Sequence, residues 1–227
     1  FIILRYLSIP SFVIYKEGMF PISRSDEMAK KFYQTKFFRA NKIFLYNQNI
    51  RDILLKSNIP NLVNSKTKVT GVPRFDFYLK NEGIKSNSNQ IVLFAFEADT
   101  KANYLLDSNS DFLNFRKRCD SFHKFFVRFV NENEDYNLII KTKSNPHSVN
   151  YISTLIQNEI NGNERIVIGH GFDTSDLIMN SRFIAGFSST TLIEALLCNK
   201  MVLCPSVRDY IGNSSFDILY PYNDIAS

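Results

Sequence analysis

The sequence predicts an α/β protein built as two Rossmann-like units with parallel sheets. Two observations carry this. Short apolar runs alternate with segments whose apolar residues recur at helical spacing, and that alternation calls for parallel strands joined by helical crossovers. The pattern runs twice, on either side of a polar stretch from Asn81 to Gln90 that is poor in apolar side chains. The reading therefore places a first unit at residues 1–80, a linker at 81–90 and a second unit at 91–227.

The elements follow in order. Residues 1–7 read as the end of a helix, so the chain opens in the middle of a pattern and is expected to be part of a longer protein. Ser11–Tyr15 reads as a short strand, closed by Lys16-Glu17-Gly18. A helix is expected from about Ser25 to Phe38, with Ser25 as its cap. Lys42–Tyr46 is the next strand. Asn47–Ser57 is a helix with Ile50, Ile53 and Leu54 on one side, and Lys66–Thr70 is a third strand stopped by Gly71 and Pro73.

The second alternation opens with a strand at Ile91–Phe96 and a polar loop to Ser110. The helix from Asp111 to Asn131 has the strongest pattern, with Phe112, Phe115, Cys119, Phe122, Phe126, Phe129 and Val130 at helical spacing. Strands are expected at Leu138–Lys143, Arg165–Ile168, Phe183–Phe187 and Met201–Cys204. Helices are expected at Val149–Ile160, from Asp173 to Asn180 and after Ser188–Thr191.

Bulk properties exclude some functions. The 227 residues suit one large domain or two smaller ones. A net charge of +5 is compatible with phosphate-bearing ligands or an anionic membrane surface. The basic residues are scattered, with no dense Lys/Arg block interleaved with aromatics, so nucleic acid is not an expected partner. The three cysteines, Cys119, Cys198 and Cys204, form no CxxC pair. Disulfides and structural zinc are not expected, and a reducing cytoplasm is. No apolar run reaches the ~18 residues of a membrane span.

Open parallel sheets bind ligands outside the carboxyl ends of their strands. That rule nominates the loops at 97–110, 141–148, 169–175 and 188–191. Lys141 and Lys143 lie two apart at a strand end, where period two puts both on one face. Two ammonium groups there suit an anion between them; two solvated lysines at a frayed end are the plain alternative. His170 sits between Gly169 and Gly171, where backbone can approach a ligand, or is simply a histidine in an exposed turn.

At residues 183–194 an apolar strand runs into Ser188, Ser189, Thr190 and Thr191, and a helical pattern follows. The free N–H groups and positive dipole end of such a helix attract phosphate. A plain helix cap also explains the stretch, because Thr191 and Glu194 fit the S/T-x-x-E capping box. Glu17 is a candidate general base for an acceptor hydroxyl, or an ion-pair partner of Lys16. His123, on the Phe-rich helix, reads as structural, and His147 has a weaker claim than His170. No G-x-x-x-x-G-K-[ST] loop, G-x-G-x-x-G fingerprint, G-x-S-x-G elbow or Asp-x-Asp pair is present. No His/Cys cluster offers metal ligands, and no metal is expected.

Three segments taken together resemble a known group. Val69–Asp76 (Val-Thr-Gly-Val-Pro-Arg-Phe-Asp), Leu138–Lys143 (Leu-Ile-Ile-Lys-Thr-Lys) and Asp176–Ala195, with the strand ending at Pro205, are similar to motifs of bacterial surface-polysaccharide transferases of the GT-B fold. The match is nearest to surface carbohydrate biosynthesis proteins. Kdo transferases of capsule and lipopolysaccharide synthesis and CDP-glycerol glycerophosphotransferases are more distant. The resemblance implies a GT-B-like fold whose first domain is incomplete, its early strands lying ahead of Phe1. It implies a cytoplasmic glycosyltransferase, with possible peripheral contact with the inner membrane, that needs neither metal nor cofactor.

The implied donor is a nucleotide-activated sugar, a CMP-linked acidic sugar being one candidate, and the acceptor a glycan or glycolipid. Donor phosphate contacts fall by position on Lys141, Lys143, Ser188, Ser189 and Thr190. Glu194 falls near a ribose or at the turn. The relatives' His-Pro pair is absent, because Asn145-Pro146-His147 reverses and displaces it. The alternatives are a CDP-glycerol-type glycerophosphotransferase, a nucleotide-sugar epimerase and a non-catalytic nucleotide- or glycan-binding module.

Overall fold

The computed structural model describes residues 7–14, 37–83, 88–97, 109–187 and 189–205. Nearly all of the expected helix end at 1–7 and of the helix at 25–38, together with Glu17, most of the 97–110 loop and Ser188, lie outside them. The chain divides into two compact units, 1–76 and 77–227. The division falls inside a short helix, ahead of the polar stretch at 81–90.

In the first unit three parallel strands lie in chain order: β1 (Phe12–Ile14), β2 (Lys42–Leu45) and β3 (Thr67–Val69). Helix α1 (Gln48–Lys56) crosses from β2 toward β3. Asn47 caps it by accepting from the Ile50 N–H at 2.8 Å. The helical spacing puts Ile50, Ile53 and Leu54 on its buried face, and Ile50 and Leu54 pack with Ile43, Leu45 and Ile59. Leu45 is fully buried; taking such a side chain out of water contributes about 1.5–3 kcal/mol. Residues 75–80 form helix α2 (Phe75–Lys80), which the sequence reading did not include. Gly71 permits the bend before it with φ +76°.

The second unit is a five-stranded parallel sheet. Its strands are β4 (Gln90–Phe94), β5 (Asn137–Lys141), β6 (Ile166–Gly169), β7 (Phe183–Gly186) and β8 (Met201–Leu203), in the order β6-β5-β4-β7-β8. Among the described residues, helices α3 (Asn109–Glu132), α4 (Pro146–Ile160), α5 (Thr174–Asn180) and α6 (Thr190–Leu197) accompany them. Both sheet faces are buried, which is why the strands read as continuous apolar runs. Ile91 and Leu93 face α3 and α4 with Leu138, Ile140, Phe126, Val130, Ile152 and Ile156. Val92 and Phe94 face the opposite side with Ile178, Ile184, Leu192 and Ala195, and Tyr78 of α2 joins that core. This is the doubly wound α/β arrangement that the alternation predicts.

Two boundaries differ from the sequence reading in ways that affect the site. Residues 146–148, expected in a loop, form the first turn of α4. Asn145 caps that helix by accepting from the Ser148 N–H at 2.7 Å, and Pro146 sits where a missing N–H costs nothing. Strand β5 ends at Lys141, so Lys143 lies past it in an exposed turn. The period-two argument that put both lysines on one face therefore fails, because the pleat stops between them.

Candidate functional site

The chain lays down β4, β5 and β6 to one side and then returns to place β7 and β8 on the other. The order therefore reverses between β4 and β7, and a ligand crevice is expected beyond the carboxyl ends of strands at such a point. Phe187, just past β7, and Ser189, which caps α6, stand at this position. Gly186 is the last residue of β7, and a Cβ there would meet the Phe94 carbonyl oxygen at 3.3 Å and Leu192 at 3.5 Å, a space that suits glycine. Phe187 is buried against Phe122, with ring centroids 4.8 Å apart, and lies 6.1 Å from Phe96 and 6.2 Å from Phe115. These aromatic contacts join the ends of both strands to α3.

The cap of α6 is Ser189, which corrects the capping box proposed from Thr191 and Glu194. Ser189 has extended backbone, φ −114° and ψ 137°, and its Oγ accepts from the Thr191 N–H at 3.3 Å. The same hydroxyl donates to Thr191 Oγ1 at 3.1 Å. Thr191 already lies in the helix, so it cannot be the extended residue that a cap requires. Thr190 is half-buried in the first turn. Glu194 is buried at 4% exposure, inside the helix rather than at its lip.

At the other side of β4, Lys141 and His170 come together. Lys141 Nζ donates to the His170 carbonyl oxygen at 3.1 Å, and the His170 ring is left in an exposed turn. Gly171 has open space where a Cβ would stand, whereas Gly169 is met by the Phe172 ring at 3.0 Å. The close approach at this turn thus involves Phe172 at its first glycine and nothing within 4 Å at its second. Asp173 caps α5, and its carboxyl lies below its usual range. The Ser175 hydroxyl contributes most, then the Asp176 N–H, and the Lys141 charge adds a smaller share.

The structure adds a cluster that sequence reasoning missed. Glu97, just beyond β4, accepts from Ser148 Oγ at 2.7 Å and pairs with His147 Nδ1 at 2.7 Å. A carboxylate against the first turn of α4 also benefits from the positive end of the helix dipole. Glu97 lay within a nominated loop; its signal was a carboxylate directly after a buried strand. Ser148 was hidden by the misplaced start of α4, which also put His147 in a loop rather than on the first turn of the helix. Thr142, between Lys141 and Lys143, is 3% exposed, and its Oγ1 has no hydrogen-bond partner among the described residues. A buried hydroxyl in that state costs about 1–3 kcal/mol unless something satisfies it.

His123 is structural, as expected. It is fully buried on α3; its Nδ1 donates to the Cys119 carbonyl at 2.5 Å, and its Nε2 accepts from the Phe96 N–H at 3.2 Å. Burial lowers its pKa, consistent with a neutral ring using one nitrogen as donor and the other as acceptor. The Arg74 guanidinium lies 5.9 Å from the Phe75 ring centroid. No helix among the described residues is long and apolar enough to cross a membrane.

Two α/β units with parallel sheets, the first with three strands among the described residues, give the chain a GT-B-like fold whose first domain is incomplete. Within that fold class, the chain belongs to the family of capsule polysaccharide biosynthesis proteins, which it matches over residues 26–217. Similar solved structures include MnaA of S. aureus in complex with UDP, at TM-score 0.53 and 19% identity, covering 91% of this chain and 53% of that one. Another is the UDP-GlcNAc 2-epimerase of Neisseria meningitidis bound to UDP-GlcNAc, at TM-score 0.51 and 14% identity, covering 99% of this chain and 65% of that one. These likenesses show the fold. The chain thus spans a little over half of MnaA and less than two thirds of the Neisseria protein. Comparison with curated proteins found no match.

Proposed function

We propose that this protein takes part in surface polysaccharide synthesis as a metal-independent glycosyltransferase that uses a nucleotide-activated sugar. The observation that carries the reading is the position of the Ser189–Thr190 turn. It stands at the reversal of strand order, at the N-terminus of α6, in a chain of the capsule biosynthesis family. The donor phosphates would lie against the α6 N–H groups, with Ser188, Ser189 and Thr190 beside them. Lys141, Lys143 and His170 would approach from the neighbouring strand ends, and Glu194 would support the turn from within the helix. Such groups stabilise the charge that develops on a departing nucleotide.

The acceptor would be a glycan or glycolipid, met at the inner membrane surface from the cytoplasmic side. Glu17 would act as the base that deprotonates its hydroxyl. No dissociable cofactor enters this scheme; the nucleotide sugar is a substrate. UDP and UDP-GlcNAc are the ligands in the two similar structures, so a UDP donor stands beside the CMP-linked one.

A thermal-shift panel of CMP, CDP, UDP and GDP tests the donor site, because a ligand that binds only the folded state raises its melting temperature. A preference for one nucleotide is expected; no response to any of them would defeat the donor assignment. Turnover then separates the alternatives. Sugar transfer supports the proposal. Epimerisation of a free nucleotide sugar replaces it with an epimerase, and transfer from CDP-glycerol with a glycerophosphotransferase. Nucleotide binding without turnover points to a binding module.

A further inference from the structure

Helices α3 and α4 pack side by side, and a groove of about 480 Å³ lies along their exposed seam. Spacing explains its walls. His147, Tyr151, Thr154 and Leu155 recur at helical intervals along α4 beside Asn150, and Arg116 and Asp120 stand one turn apart on α3. The volume falls within the roughly 300–1,000 Å³ typical of small-molecule sites. None of these residues is in the donor set above.

The polar groups of the groove are tied into one network. Tyr151 Oη donates to Asp120 Oδ1 at 2.5 Å, and Arg116 Nε donates to Tyr151 Oη at 3.3 Å. The Arg116 guanidinium also lies over the Tyr151 ring, 5.2 Å from its centroid. Burial and the Asp120 bond push the Tyr151 hydroxyl up to about 12, so it remains a donor at neutral pH. At the end nearest the strand termini, His147 is held by Glu97 through Nδ1, which leaves the other side of its ring free of that contact.

We propose that this groove is a binding site for a neutral saccharide. A sugar ring presents vicinal hydroxyls, which both donate and accept, and C–H faces, which pack on apolar surface. Arg116 and Asp120 supply a donor and an acceptor one turn apart, and Asn150 and Thr154 add groups that do both. Tyr151 and Leu155 supply the apolar surface. Arg116 is offset by Asp120, and the Glu97 carboxylate is already engaged by Ser148 and His147. A phosphate or carboxylate ligand would face the Asp120 charge without a surplus cation to offset it. The glycan-transfer reading enters only in naming the saccharide as part of the glycan that the protein handles.

The test is ¹H–¹⁵N NMR titration of the full chain with methyl glucoside, methyl N-acetylglucosaminide, methyl glucuronide and inorganic phosphate. A neutral glycoside is expected to shift the amides of Asn150, Tyr151 and Thr154. Thr154→Trp, which fills the groove from an exposed position, is expected to weaken that binding by at least about tenfold, and Thr154→Ser to retain it. Binding of CMP, CDP, UDP and GDP measured on the same samples reports separately on the donor site, and the dispersion of the amide spectrum reports on folding. The proposal is overturned if no neutral glycoside moves those amides, if Thr154→Trp leaves glycoside affinity unchanged, or if glucuronide or phosphate binds more tightly. Glycoside binding without any nucleotide binding would remove the donor assignment and leave the groove standing.

Discussion

The Ser148 hydroxyl donates to the Glu97 carboxylate at 2.7 Å, joining the first turn of α4 to the end of β4. Ser148 is 3% exposed, and Glu97 also holds His147. One carboxylate therefore gathers the end of the central strand and the helix that follows its neighbour. Hydrogen bonds to a charged group contribute about 1.5–3 kcal/mol, so Ser148→Ala is expected to lower unfolding free energy by that amount in urea denaturation. A loss below about 0.5 kcal/mol, the ordinary size of a surface substitution, would show that the bond has no structural weight.

Lys141 ends β5, and its Nζ donates to the His170 carbonyl at 3.1 Å. Lys141→Met keeps most of the aliphatic stem and removes the charge. Its affinity for the preferred nucleotide, read by titration calorimetry, is expected to fall about tenfold or more, as for loss of a charge-assisted contact. Unchanged affinity would take Lys141 out of the donor site.

Ser189 and Thr191 separate under alanine substitution. Ser189→Ala is expected to cost about 1 kcal/mol of stability because it removes the cap of α6. Thr191→Ala leaves that acceptor in place and is expected to cost clearly less. The reverse order in denaturant melts would restore the capping box on Thr191.

Gly186→Val would place a branched side chain where a Cβ alone meets the Phe94 carbonyl at 3.3 Å. Overpacking of this kind costs typically about 1–3 kcal/mol. Because the shift would fall at the end of β7, nucleotide affinity is expected to drop along with the melting temperature. Retained stability with lost affinity would mean that the strand end moves without strain.

His123 predicts an acid-side loss of stability. Its pKa is lowered in the folded protein, so below about pH 6.5, the ordinary histidine value, the unfolded chain binds a proton that the folded one does not. Stability therefore falls as pH drops, by up to about 1.4 kcal/mol per pH unit. His123→Gln, which cannot titrate, is expected to show a shallower decline between pH 7 and 5.5 in denaturant melts. Parallel curves would place the acid sensitivity elsewhere.

The apolar runs at Ile91–Phe96 and Phe183–Phe187 and the Phe-rich stretch around Phe115–Val130 made the α/β architecture legible, because burial on both sheet faces and helical spacing are local patterns. The carboxyl-end rule also led from sequence to the loops where Lys141, His170 and Ser189 now stand. Local pattern failed at element ends. Pro146 looked like loop punctuation, yet an N-terminal proline and the Asn145 cap start α4 there. Lys143 kept the alternation of β5 in sequence, but the strand stops at Lys141.

Composition and periodicity by themselves determined two alternating α/β segments, an apolar interior and the set of strand-end loops. Strand order belonged to the tertiary structure. Nothing local states that β7 returns to lie against β4, and that pairing puts the Ser189–Thr190 turn at the reversal point. The contacts of Glu97 with Ser148 and His147, and the groove shared by α3 and α4, likewise join residues tens of positions apart. The physical reason is that spacing along one element fixes which side chains share a face, whereas the packing of the whole chain decides which faces meet.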